Sequence, residues 1–350
     1  MRILFAAAES APFFKTGGLG DVVGALPKCL CRKGHDVRVI LPYYGTMPEK
    51  YKEMLEDVLY YNLSMGWKSS YCGIKRLTLE GVTYYFIDNQ SYFFREQCYG
   101  YEDDGERFAF FSMAVCEAME KIDFIPDIIH VHDWHVAMVP VLLVHKYGWI
   151  QAYRHIRKVL TIHNVQFQGI FDPIILESMF GMGREAYHEN GVKYHDKINY
   201  LKGGINYSDR ITTVSPSYAG EIQTPEFGEG LDDALRYNGW KIRGILNGID
   251  TEMNNPRKDT RIANPFDARS LRGKRKNKTA LQERLGLRVE EDAACIGMVT
   301  RLTDQKGISL LLEALPELLK RRVQLVIVGT GDSRHEYALR QTAQNHPDQV

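Results

Sequence analysis

Short apolar runs recur along the first part of the chain, with helical patterns of apolar residues between them. Five of these runs predict strands of one parallel sheet: Ile3–Ala7, Val37–Leu41, Ile128–His132, Val159–His163 and Arg210–Val214. The helical patterns lie at about 19–33, 104–121, 134–147 and 197–208. Because strands that alternate with helices form sheets covered on both faces, the pattern predicts a doubly wound α/β domain.

One segment, at about 57–87, departs from this alternation and predicts added antiparallel strands. Glu80-Gly81 lies between the runs Cys72–Leu79 and Val82–Ile87 and is a suitable corner for a hairpin.

The second half starts with a strand pattern at Ile242–Leu246, followed by a polar segment at about 251–277 that predicts a solvated linker. The basic run Arg272–Lys278 belongs to this segment. Beyond it, helices and strands alternate at Thr279–Leu285, Ala294–Thr300, Ile308–Arg321, Val323–Val328 and Arg334–Gln344. We therefore predict two domains, 1–240 and 241–350, the second with too few strands for a complete doubly wound sheet.

Charge and composition exclude several classes of protein. The 350 residues include 44 Lys and Arg against 44 Asp and Glu, so no excess of positive charge favours nucleic acid or an anionic membrane. No apolar stretch is long enough for a membrane span, and Met1–Phe5 is too short for a signal peptide. The six cysteines form no CxxC pair, so we expect a cytoplasmic protein with reduced thiols.

A lysine and several glycines follow the first predicted strand and open a predicted helix: Lys15, Gly17 and Gly18. Glycines allow backbone N–H groups to approach an anion, and a helix N-terminus adds partial positive charge. The spacing matches neither a Walker A motif nor GxGxxG. The loop is therefore either a phosphate site or a tight turn whose lysine faces solvent.

Histidines end two of the predicted strands. His130 and His132 form an HxH pair that suits either a metal ion or hydrogen bonds at the strand end. His163-Asn164 lies where open α/β sheets bind ligands, although a core histidine is the alternative. In the second half, Arg301 and Lys306 place two cations in a strand-to-helix loop, either as a solvated turn or as partners of a diphosphate.

Six motifs in this order resemble the bacterial glycogen synthases and plastid starch synthases, at matching intervals from Met1 to Val350. They are KTGGLGDV (Lys15–Val22), HDWH (His132–His135), TIHNVQFQG (Thr161–Gly169), TVSP with Ser217-Tyr218 (Thr213–Tyr218), GILNGID (Gly244–Asp250) and TRLTDQKG (Thr300–Gly307). The resemblance implies a GT-B-like fold, two Rossmann-like domains facing a cleft. It also implies transfer of glucose from ADP-glucose to the nonreducing end of an α-1,4-glucan such as glycogen, with retention of configuration. Neither a metal ion nor a cofactor is implied.

The resemblance also implies roles for individual residues. Lys15 and the amides near Gly17 and Gly18 would hold the donor phosphates, and Arg301 and Lys306 would stabilise the same diphosphate as it leaves. His163 would sit against the transferred glucose. The remaining matched positions would make polar contacts or take part in sugar or acceptor binding: Asn164, Asn247, Glu9, Asp21, Asp133 and His135.

The chain departs from the family pattern at two places. Asn254 stands where an aromatic residue is usual. Family members also continue well beyond the position of Val350, so we expect a truncated second domain and little activity from these 350 residues. The alternatives are a non-catalytic module that binds glucan or nucleotide, and a metal-dependent hydrolase built on His130 and His132.

Overall fold

A nine-stranded mixed sheet organises the first of two units, Met1–Gly248, in the computed structural model, which describes all residues from Met1 to Val350. The strands of this unit are β1 (Arg2–Ala6), β2 (Asp36–Pro42), β3 (Glu56–Met65), β4 (Lys68–Leu79), β5 (Val82–Asp88), β6 (Ile128–His132), β7 (Arg157–Ile162), β8 (Ile170–Phe171), β9 (Lys193–Tyr194), β10 (Lys197–Asn199), β11 (Arg210–Thr213) and β12 (Ile242–Gly244). The main sheet has the order β12-β11-β7-β6-β1-β2-β5-β4-β3, and only β3 and β4 run antiparallel to their neighbours. Strands β8, β10 and β9 form a separate small sheet.

Helices on both sides of the sheet bury its apolar strands. They are α1 (Gly18–Arg32), α2 (Glu49–Lys52), α3 (Gln90–Phe93), α4 (Asp104–Lys121), α5 (Met138–His145), α6 (Ile174–Ser178), α7 (Tyr200–Tyr207), α8 (Pro216–Glu221) and α9 (Asp232–Tyr237). The central strand β1 is fully buried from Leu4 to Ala6, as expected of a parallel strand covered on both faces. None of the helices combines the length and apolar character that a transmembrane segment requires.

The predicted hairpin at Glu80-Gly81 is confirmed. Strands β4 and β5 pair in antiparallel register from Gly73 opposite Asp88 to Leu79 opposite Val82. Both corner residues have positive φ, 50° and 80°, which is the geometry of a type I′ turn.

Three details of the predicted pattern differ in the structure. The helix predicted at 134–147 is a 3₁₀ turn, Trp134–Val136, followed by α5. Residues 197–199 form strand β10 before α7 begins, because they pair with β8 and β9. The strand predicted at Ile242–Leu246 to begin the second half is instead β12, which pairs with β11 at the end of the first sheet.

The second unit, Ile249–Val350, is smaller and has one short parallel sheet. Its elements are α10 (Arg272–Leu285), β13 (Ala294–Val299), α11 (Ile308–Leu318), β14 (Val323–Val328) and α12 (Ser333–Asn345). Strands β13 and β14 pair in parallel along their whole length. The buried core consists of five residues, Leu302, Ile308, Leu315, Leu325 and Leu339.

The prediction that Arg272–Lys278 belongs to a solvated linker is wrong, because α10 begins at Arg272. Tertiary contacts hold this basic helix in place. The Lys278 ammonium donates to the carbonyls of Glu291 and Ala293, and Gln282 is buried and donates to Gln324 Oε1 at 2.6 Å.

Candidate active site

Polar residues follow four parallel strands of the first sheet where each strand ends. Glu9 follows β1, Asp133 follows β6, His163 follows β7 and Asn247 follows β12. Because these strands are parallel, the four loops emerge at one edge of the sheet, where open α/β sheets bind ligands.

A buried carboxylate holds the glycine loop in place. Glu9 accepts hydrogen bonds from the Thr16 amide at 2.5 Å, the Thr16 hydroxyl at 2.8 Å, the Gly17 amide at 3.3 Å and the Tyr99 hydroxyl at 2.5 Å. Its side chain is almost fully buried. Glu9 therefore accepts hydrogen bonds from the protein itself in this structure, and these bonds position the glycine loop. The sequence did not indicate that Thr16 and Tyr99 are the residues that donate to Glu9.

The loop leaves open space above the N-terminus of α1. A Cβ atom on Gly17 or Gly18 would meet no heavy atom within 4 Å, and no side chain caps the helix. Gly20 is different, because a Cβ there would lie 2.5 Å from the Lys15 Cβ. Packing thus requires Gly20, whereas Gly17 and Gly18 leave room for an anion at the helix N-terminus, although the Gly17 amide donates to Glu9 in this structure.

Lys15 and Asp21 form an ion pair across this loop. The Lys15 ammonium lies 2.7 Å from Asp21 Oδ1, and both side chains are about half exposed. Exposed ion pairs contribute little free energy, so an anionic ligand can draw Lys15 away from Asp21 at small cost.

Three imidazole rings form a row along the ends of β6 and β7. His132 Nδ1 lies 3.0 Å from His163 Nε2, and His130 Nε2 lies 2.6 Å from the Thr161 hydroxyl. The His130 and His132 rings are 4.3 Å apart, and the His132 and His163 rings 5.3 Å. Burial lowers the pKa of His130 to about 3 and that of His163 to about 4, so both rings are neutral at pH 7.

The row does not present converging metal ligands. Nitrogen atoms of His130 and His132 bond to Thr161 and His163, and no group of three or more His, Cys, Asp or Glu side chains is arranged to hold a metal ion. The HxH pair therefore lacks the donor set that the hydrolase alternative needs.

Asp133 supports the His163 loop from the end of β6. Its Oδ1 accepts a hydrogen bond from the His163 amide at 2.7 Å, and its own φ is 58°, an uncommon value for a residue other than glycine. Burial raises the pKa of Asp133 to about 7, against the opposing effect of hydrogen bonds from the amides of His163 and Asn164. The Tyr218 hydroxyl accepts from the next amide, Val165, at 3.1 Å.

The other predicted residues of the first unit lie in contrasting surroundings. Asn164 is half-buried and its Oδ1 accepts from the Gln166 amide. Asn247 is exposed in the loop after β12. His135 is buried in an aromatic cluster with Trp134, its ring nitrogens lack partners, and burial lowers its pKa to about 3.

Arg301 and Lys306 belong to the second unit, in the loop that follows β13. Both side chains are exposed and neither forms an ion pair or hydrogen bond. The carboxylate between them in sequence, Asp304, instead bonds to Ser309, His335 and Arg334. The loop therefore presents two cations without a compensating anion.

Comparison with known proteins identifies the family to which the chain belongs. The chain matches the family described as "Starch synthase catalytic domain" over residues 2–237 and the family described as "Glycosyl transferases group 1" over residues 282–350. It is 55% identical over 350 residues to the glycogen synthase of Streptococcus equi subsp. equi, which covers all of this chain and 74% of that protein. It is also 55% identical to the glycogen synthase of Lactiplantibacillus plantarum, covering 73% of that protein.

Among solved structures, the catalytic domain of starch synthase IV from Arabidopsis thaliana, bound to ADP and acarbose, superposes with a TM-score of 0.93 at 36% identity. The match covers 99% of this chain and 72% of that one. The predicted family resemblance and the GT-B-like class of fold are thereby confirmed.

Proposed function

Because the chain belongs to the family of glycogen and starch synthases, and is thus a hexosyltransferase, we propose that it transfers glucose from ADP-glucose to the nonreducing end of an α-1,4-glucan with retention of configuration. The relatives are named glycogen synthase, and the similar plant enzyme was solved with ADP. These names support an adenine nucleotide sugar as donor and a glucan as acceptor.

One observation carries the proposal at the level of chemistry: open space lies above Gly17 and Gly18 at the N-terminus of α1, which no side chain caps, beside a lysine held only by an exposed ion pair. We assign the donor phosphates to the backbone amides of this helix N-terminus, near Gly17 and Gly18, and to Lys15. In the second unit, the unpaired Arg301 and Lys306 supply positive charge to the diphosphate as it leaves, which stabilises charge that develops in the transition state.

We assign His163 to the sugar. Its Nε2 is occupied by His132, which leaves Nδ1 for a glucose hydroxyl. A neutral ring suits this place, because a cation beside an oxocarbenium-like centre would raise the energy of the transition state. Asn164 and Asn247 add polar contacts, Asp133 fixes the His163 loop, and Glu9, Asp21 and His135 support the donor and acceptor sides.

We further infer that catalysis needs neither metal nor cofactor and that the protein works in the cytoplasm. The cations Lys15, Arg301 and Lys306 neutralise the diphosphate, which is the task of Mg²⁺ in many other enzymes. All six cysteines are free thiols, as expected of a reducing compartment. Nothing in the balanced charge favours nucleic acid as a partner.

The test measures glucose incorporation into glycogen from ADP-glucose and from UDP-glucose, with and without EDTA. It uses the 350-residue chain and a chimera continued after Val350 with the part of the S. equi enzyme that this chain does not cover, here named the extended chimera. We expect EDTA-resistant transfer from ADP-glucose by the extended chimera and little by the chain alone. Glucan binding without transfer by either protein would favour the non-catalytic module instead.

A further inference from the structure

A polar groove lies beside the hairpin of β3 and β4, apart from the loops described above. Gly73 of β4 pairs with Asp88, the last residue of β5, so Lys68–Cys72 continue beyond the end of the neighbouring strand. The groove encloses about 720 Å³ and is lined by Lys68, Ser70, Tyr71, Asp88, Gln90 and Glu106, among others. This volume lies within the range of small-molecule sites in proteins.

Two exposed tyrosines flank this groove as a pair of stacked rings. Tyr60 on β3 is 78% exposed and Tyr71 on β4 is 49% exposed, with ring centroids 6.2 Å apart and planes inclined by 25°. Gly73 makes room for the second ring, because a Cβ there would lie 2.6 Å from the Tyr71 hydroxyl. Exposed aromatic rings held against a sheet are suited to stacking on the apolar face of a sugar ring.

The charges of the groove favour a neutral ligand with hydroxyl donors. Lys68 is paired with Glu106, and Arg95 with Asp103, so both cations are already compensated. Asp88 is buried and its Oδ1 has no hydrogen-bond partner. The Lys75 ammonium lies 3.9 Å from the other oxygen, beyond hydrogen-bonding distance. An anion would find no free cation here, whereas a polyol could donate to Asp88.

The groove also lies on the same edge of the sheet as the candidate active site. Asp88 ends β5, which is separated from β1 only by β2, and all three strands are parallel. Two strand spacings correspond to about 10 Å across the sheet. The tyrosines lie one and two strands further, on β4 and β3, so sugar rings bound there are about 14–19 Å across the sheet from β1.

We propose that Tyr60, Tyr71 and Asp88 form a second binding site for α-1,4-glucan, which holds part of the acceptor away from the reacting end. The inference rests on the proposed function for the identity of the sugar polymer. Such a site keeps a glycogen particle near the enzyme between transfers, because a second contact raises the local concentration of chain ends.

Binding is tested with the 350-residue chain by its retardation in native gels that contain glycogen and by titration with maltoheptaose. The double variant Tyr60→Ala/Tyr71→Ala should bind glycogen roughly tenfold more weakly, and Asp88→Asn several-fold, while Tyr71→Phe keeps the ring and stays within about twofold. Trp149→Ala is the matched control, because that side chain is 77% exposed and lies outside the groove. Unchanged retardation of the double variant, with an unchanged thermal midpoint, would overturn the site.

Kinetics of the extended chimera separate this site from the proposed function. The double variant should raise the KM for glycogen about tenfold, with unchanged kcat and unchanged KM for ADP-glucose. Equal KM values for glycogen in the wild-type chimera and the variant would refute an acceptor role. If neither the wild-type chimera nor the variant transfers glucose, but retardation in the glycogen gel still depends on the tyrosines, then the proposed function is wrong and the glucan site is supported.

Discussion

The two loops assigned to phosphate differ in how the surrounding protein holds them. In the first unit the glycine loop is held by hydrogen bonds to Glu9, which is 2% exposed, beside a row of three histidines of which His132 is fully buried. In the second unit Arg301 and Lys306 extend from a loop whose carboxylate, Asp304, is 64% exposed.

This contrast suggests a division of labour. Buried, hydrogen-bonded groups fix geometry but make stability sensitive to substitution and to pH, because each ionisation or unpaired donor is costly inside the protein. Exposed cations contribute charge without supporting the fold. We therefore expect changes in the first unit to alter both stability and activity, and changes to the cations of the second unit to alter activity alone.

The largest expected effect is acid destabilisation of the first unit. Burial lowers the pKa of His130 and His135 to about 3 and of His163 to about 4, and lowers that of His132 well below 6.5. Below pH 6.5 the unfolded chain therefore binds one proton at each of these four histidines. The folded protein does not bind these protons until the pH falls to about 4. Asp133 acts in the opposite direction from about pH 4 to 7, because burial raises its pKa to about 7. For these five groups the net three protons correspond to about 4 kcal/mol of unfolding free energy lost per pH unit.

Urea unfolding between pH 7.5 and 5.0 measures this loss. His135→Leu removes one buried ring whose nitrogens have no partners, so it should reduce the slope by roughly 1.4 kcal/mol per pH unit. His155→Gln, at an exposed position, should leave the slope as it is. An unfolding free energy that does not change between pH 7.5 and 5.0 would show that the pKa values of these histidines are not lowered in the folded protein.

Removal of the two loop carboxylates compares the units directly. Glu9→Ala leaves the Thr16 amide and hydroxyl and the Tyr99 hydroxyl without their acceptor, which should cost about 2–3 kcal/mol of unfolding free energy. Asp304→Ala removes a mostly exposed carboxylate together with one hydrogen bond to the buried His335, and should cost about 1 kcal/mol. Denaturant unfolding of both variants measures the two losses of unfolding free energy. Equal losses would contradict the expected difference between the two units.

The cations should affect only the reaction. Arg301→Ala, Lys306→Ala and Lys15→Ala should each lower kcat/KM for ADP-glucose in the extended chimera by roughly 10- to 150-fold, the value of a hydrogen bond to a charged group. Thermal midpoints should move by less than about 2 °C, since all three side chains are exposed. Wild-type kinetics in any variant would show that its residue is only a solvated turn residue. A large fall in the thermal midpoint would show that the residue supports the fold.

The smallest effect concerns His132, which touches His163 and no solvent. His132→Ala should lower kcat of the extended chimera by about tenfold, because it removes one neutral hydrogen bond that orients the ring. His132→Asn offers a polar atom near the place of Nδ1 and should recover most of the rate. Equal rates in the two variants would show that packing, and not this hydrogen bond, positions His163.

Much of this architecture was predictable from local patterns. The parallel strands of the first sheet appear as short apolar runs because both of their faces are buried, and the turn at Glu80-Gly81 follows from local turn chemistry. The loops of the candidate site were predictable for a similar reason, because parallel strands place their carboxyl ends at one edge. Motif order was sufficient to recognise the family, to which the chain is related at 55% identity over its whole length.

Other features depended on partners distant in sequence. In sequence, the basic run at the start of α10 resembles a solvated linker, but in the structure Lys278 donates to carbonyls more than ten residues away. Likewise, only its pairing with β11 assigns β12 to the first sheet. Local propensity carries no information about such contacts, so tertiary packing decides these elements.

For the site, the order of amino acids specifies which residue types lie at the strand ends, and therefore the class of chemistry. Their protonation states and orientations depend on the folded chain. The fold placed Glu9 under the glycine loop, joined His132 to His163 and left Arg301 unpaired. The physical reason is that burial and hydrogen-bond partners set both protonation and orientation, and both arise from groups that converge only in the folded chain.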